Sequence, residues 1–489
     1  MNVPGATPAI TDIAPDGSEL LGWEGGSWPN FLWALPLPAG TPRRLGDLVG
    51  REPTWAPDGH LVFALGKDLY RAEHDGSAAK KIATAPNFPN RIRFSPDGAW
   101  IRFTAADPTS LTSILMEMRA DGSGMRPLLP GWNNPPQECC GSWTRDGKYY
   151  IFLSTRNFVS NVWIQPEKFG FWRKVSREPM QLTTGPLQFS DVIPSRDGKK
   201  LFVIGVQPRA ELVRYEAKSG NFVPYFGGIS AGDVDFSRDR KWITYVAYPE
   251  GTLWRSRLDG NERLQLTDPP MAAALAHWSP DGQQIAFSGI SPGKPWKVFL
   301  ISRDGGNPQP VTSDDQPETD PAWSADGTKL AFGINGIAGP DQTFIQVLDL
   351  KTRQVSRLAS SQGIFGPRWS PNGLSIAALS YDGTKLLLFD TESQHWRQLM
   401  ALNALIGYMA WSADGSYIYF DTLNTPDPGY FRLRVSNSKL DRIVSLKDIR
   451  TYPSQFGPGS WTGLGPGETP LFPRDISTQE IYALDLELP

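Results

Sequence analysis

Residues 289–293 read GISPG and match, letter for letter, the G-x-S-x-G turn that exposes a nucleophilic serine in hydrolases. That chemistry needs a strand before Ser291 and a helix after it. Here the next residues are KPWKVFLI, which read as another strand, so Ser291 is expected in a hairpin loop. A base is equally hard to place. The histidines are His60, His74, His277 and His395, and none stands at metal-ligand spacing from a second His or a Cys. Asp314 and Asp315 form an acidic pair that reads as exposed loop and not as glycosidase carboxylates. TGLGPG, residues 462–467, holds three glycines but opens no helix, so it is not a phosphate loop. No catalytic residue, metal or cofactor is assigned, and the chain is expected not to be an enzyme.

The two cysteines, Cys139 and Cys140, are neighbours. That excludes a four-thiolate metal site and a disulfide scaffold; reduced, partly buried thiols are expected, with a vicinal disulfide as the alternative. A formal net charge of -3 gives no electrostatic case for nucleic acid or anionic lipid. The opening residues MNVPGATPAITDIAPDG have neither a basic nor an apolar stretch of the signal-peptide kind. No run is long and apolar enough to span a membrane, so a soluble chain is expected.

What positions any site here is a repeat. A turn Asp, or Asn in one copy, falls at Asp16, Asp58, Asp97, Asp146, Asp197, Asp239, Asp281, Asp326, Asn372 and Asp414. Successive spacings are 42, 39, 49, 51, 42, 42, 45, 46 and 42 residues, the length of a four-stranded propeller blade. An eleventh, degraded copy begins at Ser460 and keeps Trp461 and Thr462. Within a copy, a Trp or Phe precedes Ser-Pro-Asp-Gly or a variant of it, and an alternating strand follows. A second Asp-Gly turn, as at Asp304-Gly305, then makes another hairpin. Pro presets φ, Asp accepts a nearby N–H, and Gly takes the positive φ. The aromatics, from Trp55 to Trp411, are expected to pack between neighbouring sheets. Ten equivalent turns cannot all be catalytic, so they are read as architecture.

This pattern resembles the TolB-like, WD-repeat-like bacterial β-propeller repeat over nearly the whole chain. FSRDRKWITYVAYPEGTLWRSRLDGNERLQLT and RDISTQEIYALDLE are similar to the C-terminal sensor-like region of bacterial winged-helix regulators. The winged helix and membrane helix of those proteins have no counterpart here, so their DNA-binding role does not carry over. The resemblance implies an all-β fold of about eleven four-stranded antiparallel blades.

Because EIYALDLELP reads as a third strand, some other segment must cover its blade. EPMQLTTG, residues 178–185, is the candidate. This predicts a seven-bladed ring over 178–489 and an incomplete propeller part of about four blades over 1–177, with one large ring as the alternative.

Longer, unrepeated loops such as STRNFVSN, SGISPGKPWK, DTLNTPDPGY and SSQGIFGPRW fall on the face opposite the repeated turns. A rigid scaffold with variable loops is the usual layout of a binding surface. Arg156, Trp296, Asp320, Phe365 and Tyr408 lie in or beside these loops and are the candidate contact residues. Charge reversal at Asp320 or Arg156 is expected to leave stability nearly unchanged. The function expected is a non-catalytic binding or scaffold module for a protein, peptide or small ligand, and in relatives a sensor part. The alternative is the propeller of a peptidase-like hydrolase, or an enzyme with a site at the channel mouth.

Overall fold

The computed structural model describes residues 7–25, 30–107, 109–167, 178–185, 187–313, 316–334, 339–451 and 460–486. The acidic pair Asp314-Asp315 lies outside them.

The turn chemistry is the same from copy to copy. Ser279 Oγ donates to Asp281 Oδ1 at 2.6 Å and accepts the N–H of Gln284 at 2.9 Å, while Asp281 Oδ1 also accepts the N–H of Gln283. Gly282 turns back to Ser279 O with φ +66°, a left-handed conformation that a β-carbon would resist. The same hydroxyl–carboxylate closure recurs at Ser95, Thr144, Ser195, Ser237, Ser324 and Ser412, and Asn372 substitutes for the Asp beside Ser370. Each turn therefore pins the register of the strands on either side.

Those strands form antiparallel sheets, numbered here by their first strand. Among the described residues there are eleven sheets, ten of them four-stranded, so the protein is an all-β propeller-repeat fold. The alternation in Gln284–Ile290 sends Ile285 and Phe287 against Trp242, Val246 and Leu253 of the preceding sheet, all of them buried. The repeat aromatics also tie neighbours by hydrogen bonds. Trp323 Nε1 donates to His277 O at 3.1 Å and Trp411 Nε1 to Arg368 O at 2.9 Å, each reaching the preceding sheet. Trp55, Trp143 and Trp278 are buried, whereas Trp323, Trp369 and Trp411 are partly exposed.

The chain divides into two compact units, residues 1–207 with 479–489, and residues 208–478. The first contains sheets one to five. Its fifth sheet pairs Gln188–Pro194, Lys200–Gln207 and Thr478–Asp485, so the last strand among the described residues closes a sheet begun before residue 208. The second unit contains sheets six to eleven. Its sixth sheet takes Gly463–Gly465 and Thr469–Asp475 from one end of the unit and Ala210–Glu216 and Asn221–Pro224 from the other. The inner strands of sheets seven to eleven lie against one another in order, and Gly463–Gly465 contacts both the eleventh and the seventh. Six sheets thus close a ring.

Three expectations are corrected by this arrangement. The expected boundary between 177 and 178 and the seven-bladed count give way to a division after Gln207 and a ring of six, because residues 188–207 pair with 478–485 and not with the ring. EPMQLTTG does not cover the last strand. Its Met180–Gln181 instead pairs with Trp163 and Ile164 at the edge of the fourth sheet.

The cysteine expectation changes as well. Cys139 and Cys140 are joined as a vicinal disulfide in Glu138–Trp143. The strand bulges there and Cys140 turns to φ +61°, so neighbours that would point to opposite faces of a regular strand meet.

Candidate functional site

Every inner strand of sheets seven to eleven bulges just before its repeat aromatic. The residue three positions before that aromatic is Asp233, Leu275, Asp320, Gly366 or Tyr408. The first four have φ of 49°, 52°, 63° and 67°, a left-handed bulge conformation that re-aims the side chain. All five border one cavity of about 340 Å³ inside the six-sheet ring.

The cavity's walls are apolar and aromatic, with Trp296, Phe365, Leu405 and Trp461, and Tyr381 and Asp382 lie at its edge. On its floor Arg368 is buried, its Nη1 2.6 Å from Asp320 Oδ1. Arg368 Nη1 also donates to Pro367 O at 2.8 Å and Nε to Met409 O at 3.1 Å, and the guanidinium carbon stands 4.4 Å from the Tyr408 ring centroid. Tyr408 Oη and His277 Nε2 are 3.0 Å apart, and His277 Nδ1 faces Asp235 Oδ2 at 3.7 Å. Burial pushes the Tyr408 hydroxyl well above the usual phenol range, against the opposing pull of Arg368. Burial also pushes Asp233 up to about 6, although the N–H of Leu275 and the charges of His277 and Arg368 favour its ionised form.

Two supports hold this shape. Gly407 carries no β-carbon because one would stand 2.6 Å or less from the Asp421 carboxylate, whose Oδ1 accepts the N–H of Tyr408 and the hydroxyl of Thr462. Trp296 is fixed by its carbonyl, which accepts the N–H of Glu318; the buried Glu318 carboxylate is 2.8 Å from Lys297 Nζ.

Trp296, Asp320, Phe365 and Tyr408 therefore come together. Asp320, Phe365 and Tyr408 sit on inner strands and not in loops, with Trp296 in the loop before Lys297–Ser302. Arg156 does not join them. It belongs to the first unit, where its guanidinium carbon lies 4.8 Å from the Trp132 ring and 4.5 Å from that of Trp163. Ser291 is in a hairpin loop between two strands, as its sequence context required. Sequence reasoning missed Asp233, His277, Arg368 and Trp461. The signal was available: counting one and three places back from each repeat aromatic reaches the first three.

A second cavity of about 500 Å³ lies on the turn side, bordered by Trp278, Trp323, Trp369 and Trp411 and by turn residues such as Pro280 and Pro371. The two cavities share Arg368, Tyr408, Met409 and Trp461. These four residues partition the channel.

Residues 294–460 match the PD40 family, described as the TolB beta propeller domain. Parts of the chain are similar to curated proteins. "Uncharacterized peptidase YuxL" of Bacillus subtilis is 26% identical over 160 residues, 25% of this chain and 24% of that protein. "Tol-Pal system protein TolB" of Desulfosudis oleivorans is 31% identical over 112 residues, 22% of this chain and 24% of that protein. The chain spans about a quarter of the length of each of these two relatives. Among solved structures, the tricorn protease is similar at 10% identity and a TM-score of 0.32, over 99% of this chain and 59% of that one. The expectation that the chain is not an enzyme is corrected here. A stretch of it is related to a protein named as a peptidase, so the missing nucleophile and metal motifs do not exclude catalysis.

Proposed function

We propose, taking the chain as a TolB-like propeller-repeat protein, that its six-sheet ring binds a peptide at the loop-side mouth of the channel. One observation carries this reading. Four residues scattered from Trp296 to Tyr408 converge on a single concave, largely apolar cavity of about 340 Å³. That volume is at the lower end of ligand sites and suits one or two side chains of an extended chain. Rigid inner strands hold the floor, and hairpin loops supply the rim, so recognition needs little reorganisation. The curated relatives named as a peptidase and as a Tol-Pal system protein support a polypeptide ligand. The test is titration calorimetry of the full chain against a panel of capped tetrapeptides. Phe365→Ala and Trp296→Ala are each expected to weaken binding by about tenfold or more. Binding that survives both changes would place the site elsewhere.

A second reading, that a bound peptide is also cleaved, rests on the likeness to the peptidase relative. Incubating the same peptides with the purified chain and weighing the products by mass spectrometry decides it. New fragments that vanish with Phe365→Ala support cleavage at this mouth, and intact peptides reject it.

A further inference from the structure

We infer that the group this cavity takes in is an organic cation, the side-chain ammonium or guanidinium of a bound peptide; this rests on the peptide reading above. The charge inventory decides the sign. Among the described residues, Asp233, Asp320 and Asp382 border the cavity against Arg368 alone, and no lysine does. Arg368 already has Nη1 on Asp320 and Pro367 O, Nε on Met409 O and its face on Tyr408, so much of its charge and donor capacity is met before any ligand arrives.

The carboxylates keep capacity. Gly366 and Asp320 both border the cavity, and an added β-carbon at Gly366 would stand 3.4 Å from Asp320 Oδ2; glycine sets no side chain against that oxygen. Asp233 takes the N–H of Leu275, and among the described residues no Lys or Arg forms an ion pair with it. A half-buried carboxylate with no ion-pair partner in contact favours a ligand that brings a positive charge over a neutral or anionic one. The surrounding surface agrees: Trp296, Phe365, Tyr408 and Trp461 present aromatic rings, and ring faces together with carboxylates attract ammonium and guanidinium groups.

The experiment titrates the full chain with four capped amino acids. They are the N-acetyl methylamides of lysine, arginine, norleucine and glutamate. The lysine or arginine probe is expected to bind about tenfold tighter than norleucine, and glutamate weakest. The two basic arms separate ammonium from guanidinium. Asp233→Asn is expected to remove most of that preference, read as the ratio of lysine or arginine affinity to norleucine affinity in the same variant. The norleucine arm takes the charge from the ligand and not from the protein, so it decides the matter even if Asp233→Asn fails to fold. Norleucine binding as tightly as lysine and arginine overturns the cation assignment and leaves the peptide reading standing. If none of the four probes binds, and the tetrapeptides do not either, the peptide reading falls and the cation falls with it.

Discussion

At the turn-side mouth of the six-sheet channel the lining repeats itself: Trp278, Trp323, Trp369 and Trp411 stand at one position of successive inner strands. Three residues earlier on the same strands, at the loop-side mouth, the series runs Leu275, Asp320, Gly366 and Tyr408. Backbone geometry is shared, yet one mouth is uniform and the other is individual at each strand. A residue needed by every sheet interface recurs because every interface is the same packing problem. A position freed from that problem by a bulge can differ strand by strand, and a specific cavity results.

The sharpest attempt to break this contrast is Asp320→Ala. If the loop-side mouth were only a recognition surface, the change would leave stability alone, as the sequence led us to expect for charge reversal at Asp320. The structure reverses that expectation, since Asp320 is the counter-ion of the buried Arg368. Stripping one partner from such a pair is expected to cost about 3–5 kcal/mol in urea unfolding. Adding Arg368→Met should restore much of the loss. A near-neutral Asp320→Ala would show the floor to be solvated and the partition loose.

Next in size is a difference in pH response. Asp421, behind Gly407, has its carboxyl pushed by burial from 3.8 to about 6. A raised folded value means that its stabilising contribution is present below about pH 4 and is lost as pH rises through about 6. Asp421→Asn should therefore flatten the stability profile between pH 4 and 7, by up to about 3 kcal/mol. The turn-side aspartates have the opposite sign. Hydrogen bonds from Ser412 and Ser416 hold Asp414 down at about 2, so its contribution is present above the unfolded value and is lost as pH falls toward 2. Thermal melts of the wild type and Asp421→Asn across pH 4–7 check this; parallel curves would refute the raised value.

The smallest expected effect is at one turn. Ser279→Ala removes the hydroxyl that bonds both Asp281 and the N–H of Gln284, and about 1 kcal/mol should be lost without change in ligand binding. A binding defect in that variant would mean that the two mouths are coupled through their shared residues Arg368 and Tyr408.

The repeat was legible because its turn chemistry is local. Ser-Pro-Asp-Gly closes on itself within six residues, so the letters alone place the hairpins and, by their period, the sheets. The ring count was not legible. Residues 188–207 and 210–224 both read as strand pairs, and choosing which of them meets the end of the second unit depends on pairings more than two hundred residues apart. Asp320, Phe365 and Tyr408 were expected in or beside loops, and they are inner-strand residues at or next to a bulge. Arg156 had the same loop context and lies over two indoles of the other unit.

The amino-acid order by itself determined the unit of construction: an all-β repeat with aromatic plates and self-closing turns, since these rest on contacts between near neighbours in the chain. Only the tertiary structure decided that six sheets close one ring and that Arg368 is spent on Asp320. It also decided that Asp233 and Trp296 share one cavity. Those facts depend on which distant strands meet, and a period of forty-odd residues fits several closures equally well.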